Sequence, residues 1–137
     1  MSLSMLPLKT YIVEDSPLIR ENLSATLEEL APVVVVGSAD GEAAAADWLA
    51  TPGNHADLVI VDIFLSRGSG PGVLQATRAR SPQQAMVVLS NYVTADVRRR
   101  CLDLGAARVF DKSNEIEMLI EYCAELAAGL DSSLTAL

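Results

Sequence analysis

The sequence has few of the residues that mark secreted, thiolate-metal and membrane-spanning proteins. Its 137 residues include two cysteines and one histidine. Cys101, Cys123 and His55 are too few and too scattered for a disulfide framework or a zinc site, so we expect both thiols in a core within a reducing compartment. No apolar run is long enough to cross a bilayer, and the start of the chain lacks a basic segment followed by a long apolar one. We therefore expect a cytoplasmic protein.

Basic residues are scarce as well. Ten Lys and Arg face eighteen Asp and Glu, which gives a net charge of −8. Because such a field repels phosphate backbones and anionic lipids, we expect no direct nucleic-acid partner and no membrane partner. The hydrophobic fraction of 50% and the length are those of one globular domain.

Five short segments are apolar without interruption, which predicts strands. They are TYIVED (10–15), VVVVG (33–37), LVIVD (58–62), MVVLS (86–90) and RVFDK (108–112). Strands that are apolar on both faces are typical of a parallel sheet lying between helical layers.

Segments with helical periodicity separate the predicted strands. The first helix is expected to begin at Ser16-Pro17, an N-cap and a first helical residue, and to stop before Pro32. A second helix is predicted over 40–51, capped by Asp40. The remaining helices are predicted over 71–80, 97–104 and 116–129, the last ending at Gly129. The alternation predicts a three-layer α/β fold, a doubly wound five-stranded parallel sheet in the flavodoxin-like order 2-1-3-4-5.

Polar side chains end four of the five predicted strands. In a parallel sheet the carboxyl ends share one edge, and ligands collect in the crevice where the strand order reverses. We therefore expect the following residues to converge: Glu14 and Asp15 from the first strand, Asp62 from the third, Ser90 from the fourth and Lys112 from the fifth.

The three carboxylates would repel one another, and a divalent cation would resolve the repulsion. Mg²⁺ prefers oxygen ligands and usually takes one or two direct carboxylates. Lys112 adds a positive charge and Ser90 a hydroxyl donor. The same set suits phosphoryl transfer to Asp62, because a carboxylate can be the nucleophile and positive charge stabilises the transition state.

The chain resembles a receiver domain of a two-component response regulator, of the single-domain, chemotaxis-regulator-like kind. The resemblance covers 7–129 and leaves short tails at 1–6 and 130–137. Five motifs carry it in order: VEDS (13–16), SADGEAA (38–44), LVIVDI (58–63), VVLSN (87–91) and LGAARVFDKS (104–113).

The resemblance implies a phosphoryl group passed from a histidine kinase or a phosphotransfer protein to Asp62. It implies Mg²⁺ held by Asp15, Asp62 and the backbone carbonyl of Phe64, with Glu14 reaching the metal through water. Lys112 would contact the phosphate. The resemblance also makes Ser90 the switch hydroxyl and Phe110 the aromatic whose rotamer changes with the state.

The resemblance also assigns access to the phosphate and the output surface. Phe64, Asn91 and Tyr92 would flank the path of the attacking water, and the bulk of Phe64 and Tyr92 predicts slow self-dephosphorylation. The face built from the fourth helix, fifth strand and fifth helix would bind a downstream protein or a second copy in a homodimer. The basic triplet 98–100 lies there, and we expect it to be a solvated helix face that could also bind a partner.

The sequence departs from the family pattern after Lys112, where Ser113 replaces the usual proline, so we expect a trans peptide bond. The loop RGSGPG (67–72) is expected to be a flexible turn beside the acceptor, since Val73 breaks a dinucleotide-binding glycine pattern.

Three alternatives stay open. A Mg²⁺-dependent aspartyl-phosphate phosphohydrolase would share the nucleophile, but Phe64 stands where such enzymes usually carry a second Asp. The chain could be an interaction module that is never phosphorylated, or the receiver fragment of a longer DNA-binding response regulator. We expect no enzyme in the ordinary sense, only catalysis of the protein's own phosphorylation and dephosphorylation.

Overall fold

The computed structural model describes residues 7–77, 84–91 and 93–135, with side chains described through residue 129. Strands and helices alternate along these residues. They are β1 (Leu8–Val13), α1 (Pro17–Leu30), β2 (Val33–Ala39), α2 (Glu42–Ala50), β3 (Leu58–Val61), α3 (Gly70–Thr77), β4 (Ala85–Ser90), α4 (Ala95–Asp103), β5 (Arg108–Asp111) and α5 (Ile116–Thr135). In this part of the chain, no helix combines the length and apolarity needed to cross a bilayer.

The strands form one parallel sheet in the order β2-β1-β3-β4-β5. Because β2 and β3 lie on opposite sides of β1, the strand order reverses between β1 and β3, which opens a crevice at their carboxyl ends. The predicted α/β fold and its strand order are confirmed.

Two separate cores cover the two faces of the sheet. One contains Cys101 of α4 and Val88 of β4, together with apolar residues of α2 and α3. The other contains Leu27 of α1, Leu119 of α5 and Leu89 of β4. Val88 and Leu89 are adjacent and fall in different cores because successive side chains of a strand point to opposite faces. The sheet therefore lies between two helical layers, as predicted.

The helix termini agree with the predictions at α1 and differ at α2 and α5. Ser16 caps α1, where its Oγ accepts a hydrogen bond from the Ile19 amide at 3.3 Å. Asp40 does not cap α2. That helix begins at Glu42, with Gly41 at the N-cap making no side-chain hydrogen bond.

The last helix continues beyond Gly129 to Thr135. Gly129 is absent from the described glycines that have positive φ, so the helix passes through it. By contrast, Gly105 has a φ of 109° and follows the end of α4 as predicted. For α3, residues 78–80 of the predicted range lie outside the described residues.

Both thiols are expected to be unreactive in the native protein. Cys101 and Cys123 are free and buried. Burial raises the pKa of Cys101, and it raises the pKa of Cys123 to about 11. Since the thiolate is the nucleophile, neither cysteine of the native protein should react with an aromatic disulfide reagent at pH 8 within minutes. In denaturant, both cysteines should react and release two equivalents of the aromatic thiol per protein molecule. Fast reaction of a native thiol would contradict this burial.

Candidate functional site

Hydrogen bonds join side chains from four strand ends into one group. The Lys112 ammonium donates to Glu14 Oε1 at 2.9 Å and lies 3.4 Å from Asp62 Oδ2. Ser90 Oγ donates to the other carboxylate oxygen of Asp62, Oδ1, at 3.0 Å. Four of the five residues expected to converge are therefore connected directly.

The backbone of the sheet places these residues. Each lies at the end of its strand or one residue beyond it, still tied to the neighbouring strand. The Asp62 amide donates to the Val13 carbonyl at 3.0 Å, and the Lys112 amide donates to the Ser90 carbonyl at 2.9 Å. Because the sheet fixes these backbones, the side chains meet without a long loop to order.

The group is largely removed from water. The side chains of Glu14 and Asp62 are 4% and 13% exposed, and that of Lys112 is 14% exposed. Two carboxylates in such surroundings would be strongly unfavourable without compensation. Lys112 supplies the opposite charge, while the Phe64 amide donates to Asp62 Oδ1 at 3.2 Å. These contacts explain how Asp62 is accommodated between the buried Val61 and Ile63.

Asp15 lies at the same edge with a different partner. Its Oδ2 accepts a hydrogen bond from the Ser66 amide at 2.9 Å, in the loop between β3 and α3. Glu14 instead turns its carboxylate toward Lys112 and the Ser16 amide. Within the described residues, no three His, Cys, Asp or Glu side chains are grouped as a metal site. Two direct carboxylates supplemented by a carbonyl and water remain compatible with Mg²⁺.

A cavity of about 310 Å³ opens beside the Asp62 carboxylate. It is lined by Asp62, Phe64, Ser90 and Asn91. Phe64 is 56% exposed, and Asn91 is exposed as well. Both residues therefore lie where a ligand or a water molecule would reach Asp62. Tyr92, the third residue predicted to flank this path, lies outside the described residues.

Phe110 lies on the opposite face of the sheet from Ser90. It pairs in register with Leu89 and packs with it in the core under α1 and α5. Its ring centroid is 5.9 Å from that of Tyr122 on α5. Ser90 alternates with Leu89 and so points to the other face. The switching role of Phe110 stays a prediction, and this position gives the ring no direct route to the Ser90 hydroxyl.

Arg98, the first member of the basic triplet, has a side chain that is 40% exposed and also makes contacts within the domain. Its guanidinium donates to the Val109 carbonyl at 2.6 Å and to Glu115 Oε1 at 3.3 Å. The same oxygen of Glu115 accepts the Asp111 amide at 2.7 Å. Arg98 thus ties α4 to the start of the loop that carries Lys112. The sequence showed only a basic triplet, whose second member, Arg99, is an exposed partner of Asp96.

The loop after Lys112 is held locally. The Lys112–Ser113 peptide bond is trans, as predicted from the absence of proline. Hydrogen bonds from the side chain and the backbone of Ser113 hold the pKa of the Asp111 carboxyl below its ordinary value.

At the other side of the site, Arg20 donates to the Glu14 carbonyl at 2.7 Å, a contact that the sequence pattern did not indicate.

Fold and site together define an open α/β domain with a carboxylate, an ammonium and a hydroxyl at the switch point. The family model of the response regulator receiver domain matches residues 10–124. The chain therefore belongs to the response regulator receiver domain family, as the resemblance predicted. The match falls inside the predicted range 7–129, whose limits stay a prediction.

Known relatives agree with this membership. The chain is 32% identical over 108 residues, 77% of its length, to protein-glutamate methylesterase/protein-glutamine glutaminase 1 of Syntrophus aciditrophicus, of which it covers 30%. It is 27% identical over 108 residues, 79% of its length, to a cyclic di-GMP phosphodiesterase of Thermotoga maritima, of which it covers 28%. The chain thus spans about a third of the length of these curated relatives.

Solved structures share the fold. The signal receiver domain of the response regulator NarL from Mycobacterium tuberculosis has a TM-score of 0.77 at 24% identity, over 90% of this chain and 98% of that one. A response regulator from Burkholderia pseudomallei, with a phosphorylated aspartic acid, a calcium ion and citrate, has a TM-score of 0.74 at 17% identity, over 92% of this chain and 72% of that one.

Replacing Lys112 should destabilise the protein when no divalent cation is present. With a chelator added, Lys112→Met leaves the buried Glu14 and the largely buried Asp62 carboxylates without a compensating cation, and we expect it to lower the free energy of unfolding in urea by about 3 kcal/mol. The double variant with Glu14→Gln should cost less than the sum of the single variants, by about 1–2 kcal/mol.

The exposed Lys9 offers a matched control for the Lys112 variants. Lys9→Met should change the free energy of unfolding by less than about 0.5 kcal/mol. Strict additivity of Lys112→Met and Glu14→Gln would show that the pair does not interact.

Proposed function

We propose that this receiver domain takes a phosphoryl group onto Asp62 from a histidine kinase or a phosphotransfer protein, and that the modification changes its protein contacts. The family is a phosphoacceptor switch in two-component signalling rather than an ordinary enzyme. The observation that carries the assignment is that Lys112 and Ser90 reach different oxygens of the same carboxylate, Asp62. The phosphorylated aspartate of the Burkholderia structure supports this chemistry.

These contacts support the following transfer. A carboxylate oxygen of Asp62 attacks phosphorus, the bond from phosphorus to the imidazole nitrogen breaks, and the imidazole leaves. Lys112 and Ser90 then lie beside the new phosphoryl oxygens, where an ammonium and a hydroxyl donor stabilise developing charge. No further side chain is needed as a base, because the proposed nucleophile is a carboxylate and not a hydroxyl.

A magnesium ion fits the oxygen donors of this edge. We propose that Asp15, Asp62 and the Phe64 carbonyl hold Mg²⁺, with Glu14 reaching it through water. When bound, the cation supplies positive charge to the equatorial oxygens of the transferred group. The calcium ion of the Burkholderia structure supports a divalent cation in this kind of site. Until the cation binds, Lys112 supplies the compensating charge for Glu14 and Asp62.

We propose that phosphorylation is read at the surface of α4, β5 and α5 by a downstream protein or by a second copy of the chain. Arg98 and Glu115 connect α4 to the loop that carries Lys112, so a change at the site reaches that surface through few contacts. We further propose that the protein acts in the cytoplasm, without direct contact to nucleic acid or membrane, and catalyses only its own phosphorylation and dephosphorylation.

The alternatives have no specific observation in their favour. A phosphohydrolase needs a proton-transferring group near the leaving oxygen, and Phe64, at the position expected for it, has none. The receiver portion of a longer regulator would carry the same site and the same chemistry.

Phosphorylation is tested with a small-molecule donor. Incubation with acetyl phosphate and Mg²⁺ should add the mass of one phosphoryl group to the wild type. Without Mg²⁺ the same modification should be far slower. Asp62→Asn should stay unmodified because it lacks the nucleophile, whereas Asp103→Asn, exposed at the end of α4, should behave as wild type. Intact-mass spectrometry measures all samples. Modification of Asp62→Asn to the wild-type extent would reject this acceptor.

The exposed ring of Phe64 is expected to slow hydrolysis. Because it lies beside Asp62 in the cavity, Phe64→Gln should admit and orient water and shorten the phosphoryl lifetime several-fold. The measurement is the decay of phosphorylated protein after the donor is removed, with Leu102→Gln as an exposed apolar control on α4. Equal decay rates of Phe64→Gln and wild type would rule out shielding by this ring.

A further inference from the structure

The loop after the acceptor is tied to the first residue of α2. We call residues 62–69 the acceptor loop. Glu42 contacts it twice: its Oε1 accepts a hydrogen bond from the Ser69 amide at 3.0 Å, and its own amide donates to the Arg67 carbonyl at 2.9 Å. The second bond satisfies one of the free amides at the start of α2, where Gly41 at the N-cap has no side chain to do so.

Two glycines leave the space that the Glu42 side chain occupies. A Cβ atom at Gly72 would lie 2.1 Å from Glu42 Oε1, and one at Gly68 would lie 2.4 Å from Glu42 Cβ. Gly68 also has a φ of +84°, which other residues rarely adopt. The glycine-rich stretch 67–72 therefore lies around the Glu42 carboxylate and is hydrogen-bonded to it.

The contact continues from Glu42 to the phosphorylation site. Ser69 forms an antiparallel bridge with Phe64, and the Gly70 amide donates to the Ile63 carbonyl at 3.0 Å. The Phe64 amide in turn donates to Asp62 Oδ1. The position of Ser69 therefore sets the position of the Phe64 backbone, which carries both a donor to Asp62 and the carbonyl assigned to the cation.

The charge of Glu42 suits this place. The carboxylate lies in the first turn of α2 and beside Gly72, in the first turn of α3. Negative charge near the N-termini of helices is favourable, so one side chain stabilises two helix starts as well as the loop between β3 and α3.

We propose that Glu42 is a positioning residue for the phosphorylation site, acting through Ser69 to hold the Phe64 backbone where Asp62 and the divalent cation require it. The proposal rests on the proposed function for its consequence, but its structural step can be tested without phosphorylation.

The first experiment compares Glu42→Ala, Glu42→Gln and the control Asp47→Ala, an exposed carboxylate on the same helix. Hydrogen exchange is measured in metal-free protein, and Mg²⁺ affinity is measured by calorimetry. Glu42→Ala should speed exchange of the Ser69 amide and raise the Kd for Mg²⁺ roughly five- to tenfold, a part of the worth of a hydrogen bond to a charged acceptor. Glu42→Gln keeps an acceptor oxygen, so its Ser69 exchange rate and its Mg²⁺ affinity should be close to those of wild type. Asp47→Ala should match wild type in both measurements.

A second experiment tests whether the glycines serve the carboxylate. Gly72→Ala puts a methyl group against Glu42 and should reproduce the effects of Glu42→Ala on exchange and Mg²⁺ affinity. In the Glu42→Ala background the same methyl group meets no carboxylate, so Gly72→Ala should add nothing. Equal damage from Gly72→Ala in both backgrounds would overturn the proposal.

The outcomes separate the two proposals. If Asp62 is phosphorylated while Glu42→Ala matches wild type in Ser69 exchange and Mg²⁺ affinity, the positioning role is wrong and the function stands. If exchange and affinity change as expected while Asp62 accepts no phosphoryl group, the function is wrong and the positioning role stands. Should Glu42→Ala not fold, Glu42→Asp, which keeps the charge but is one methylene too short to reach Ser69, replaces it with the same expected changes.

Discussion

The site depends on one ammonium placed between two carboxylates that are largely removed from water. Glu14 and Asp62 come from adjacent strands, and the sheet leaves them no freedom to separate. Lys112 contacts both carboxylates and supplies the positive charge that offsets their mutual repulsion. A bound cation would supply part of the same positive charge. The contacts of Lys112 therefore serve both the stability of the fold and the charge of the site.

The two loops that frame Asp62 and Lys112 are each anchored to a helix on the same side of the sheet. Glu42 at the start of α2 holds the loop after β3, and Arg98 on α4 holds the end of β5 through Val109 and Glu115. A displacement of either loop would therefore break or strain its contacts with α2 or α4. Under the proposed function, these contacts would carry a change at Asp62 to the surface of α4, β5 and α5.

Some features of the fold and the site were predictable from the sequence, and others were not. The strands were predictable because their apolar runs are uninterrupted, and Asp62, Ser90 and Lys112 were predictable because each directly ends or follows such a run. The contacts of Arg98 with Val109 and Glu115 were not predictable, because a basic triplet carries no sign of which member bonds to a neighbouring element. Glu42 was seen only as part of a motif, since its partner Ser69 is 27 residues away.

The sequence by itself determined the alternation of strands and helices, the edge at which the polar residues gather, and the family. These follow from local apolar patterns and from the rule that parallel strands share their carboxyl ends. Only the tertiary structure decided which carboxylate Lys112 contacts most closely, that Phe110 and Ser90 lie on opposite faces of the sheet, and that a helix start fixes the loop after Asp62. Those outcomes depend on strand register and on side-chain contacts between distant segments, which no local pattern encodes.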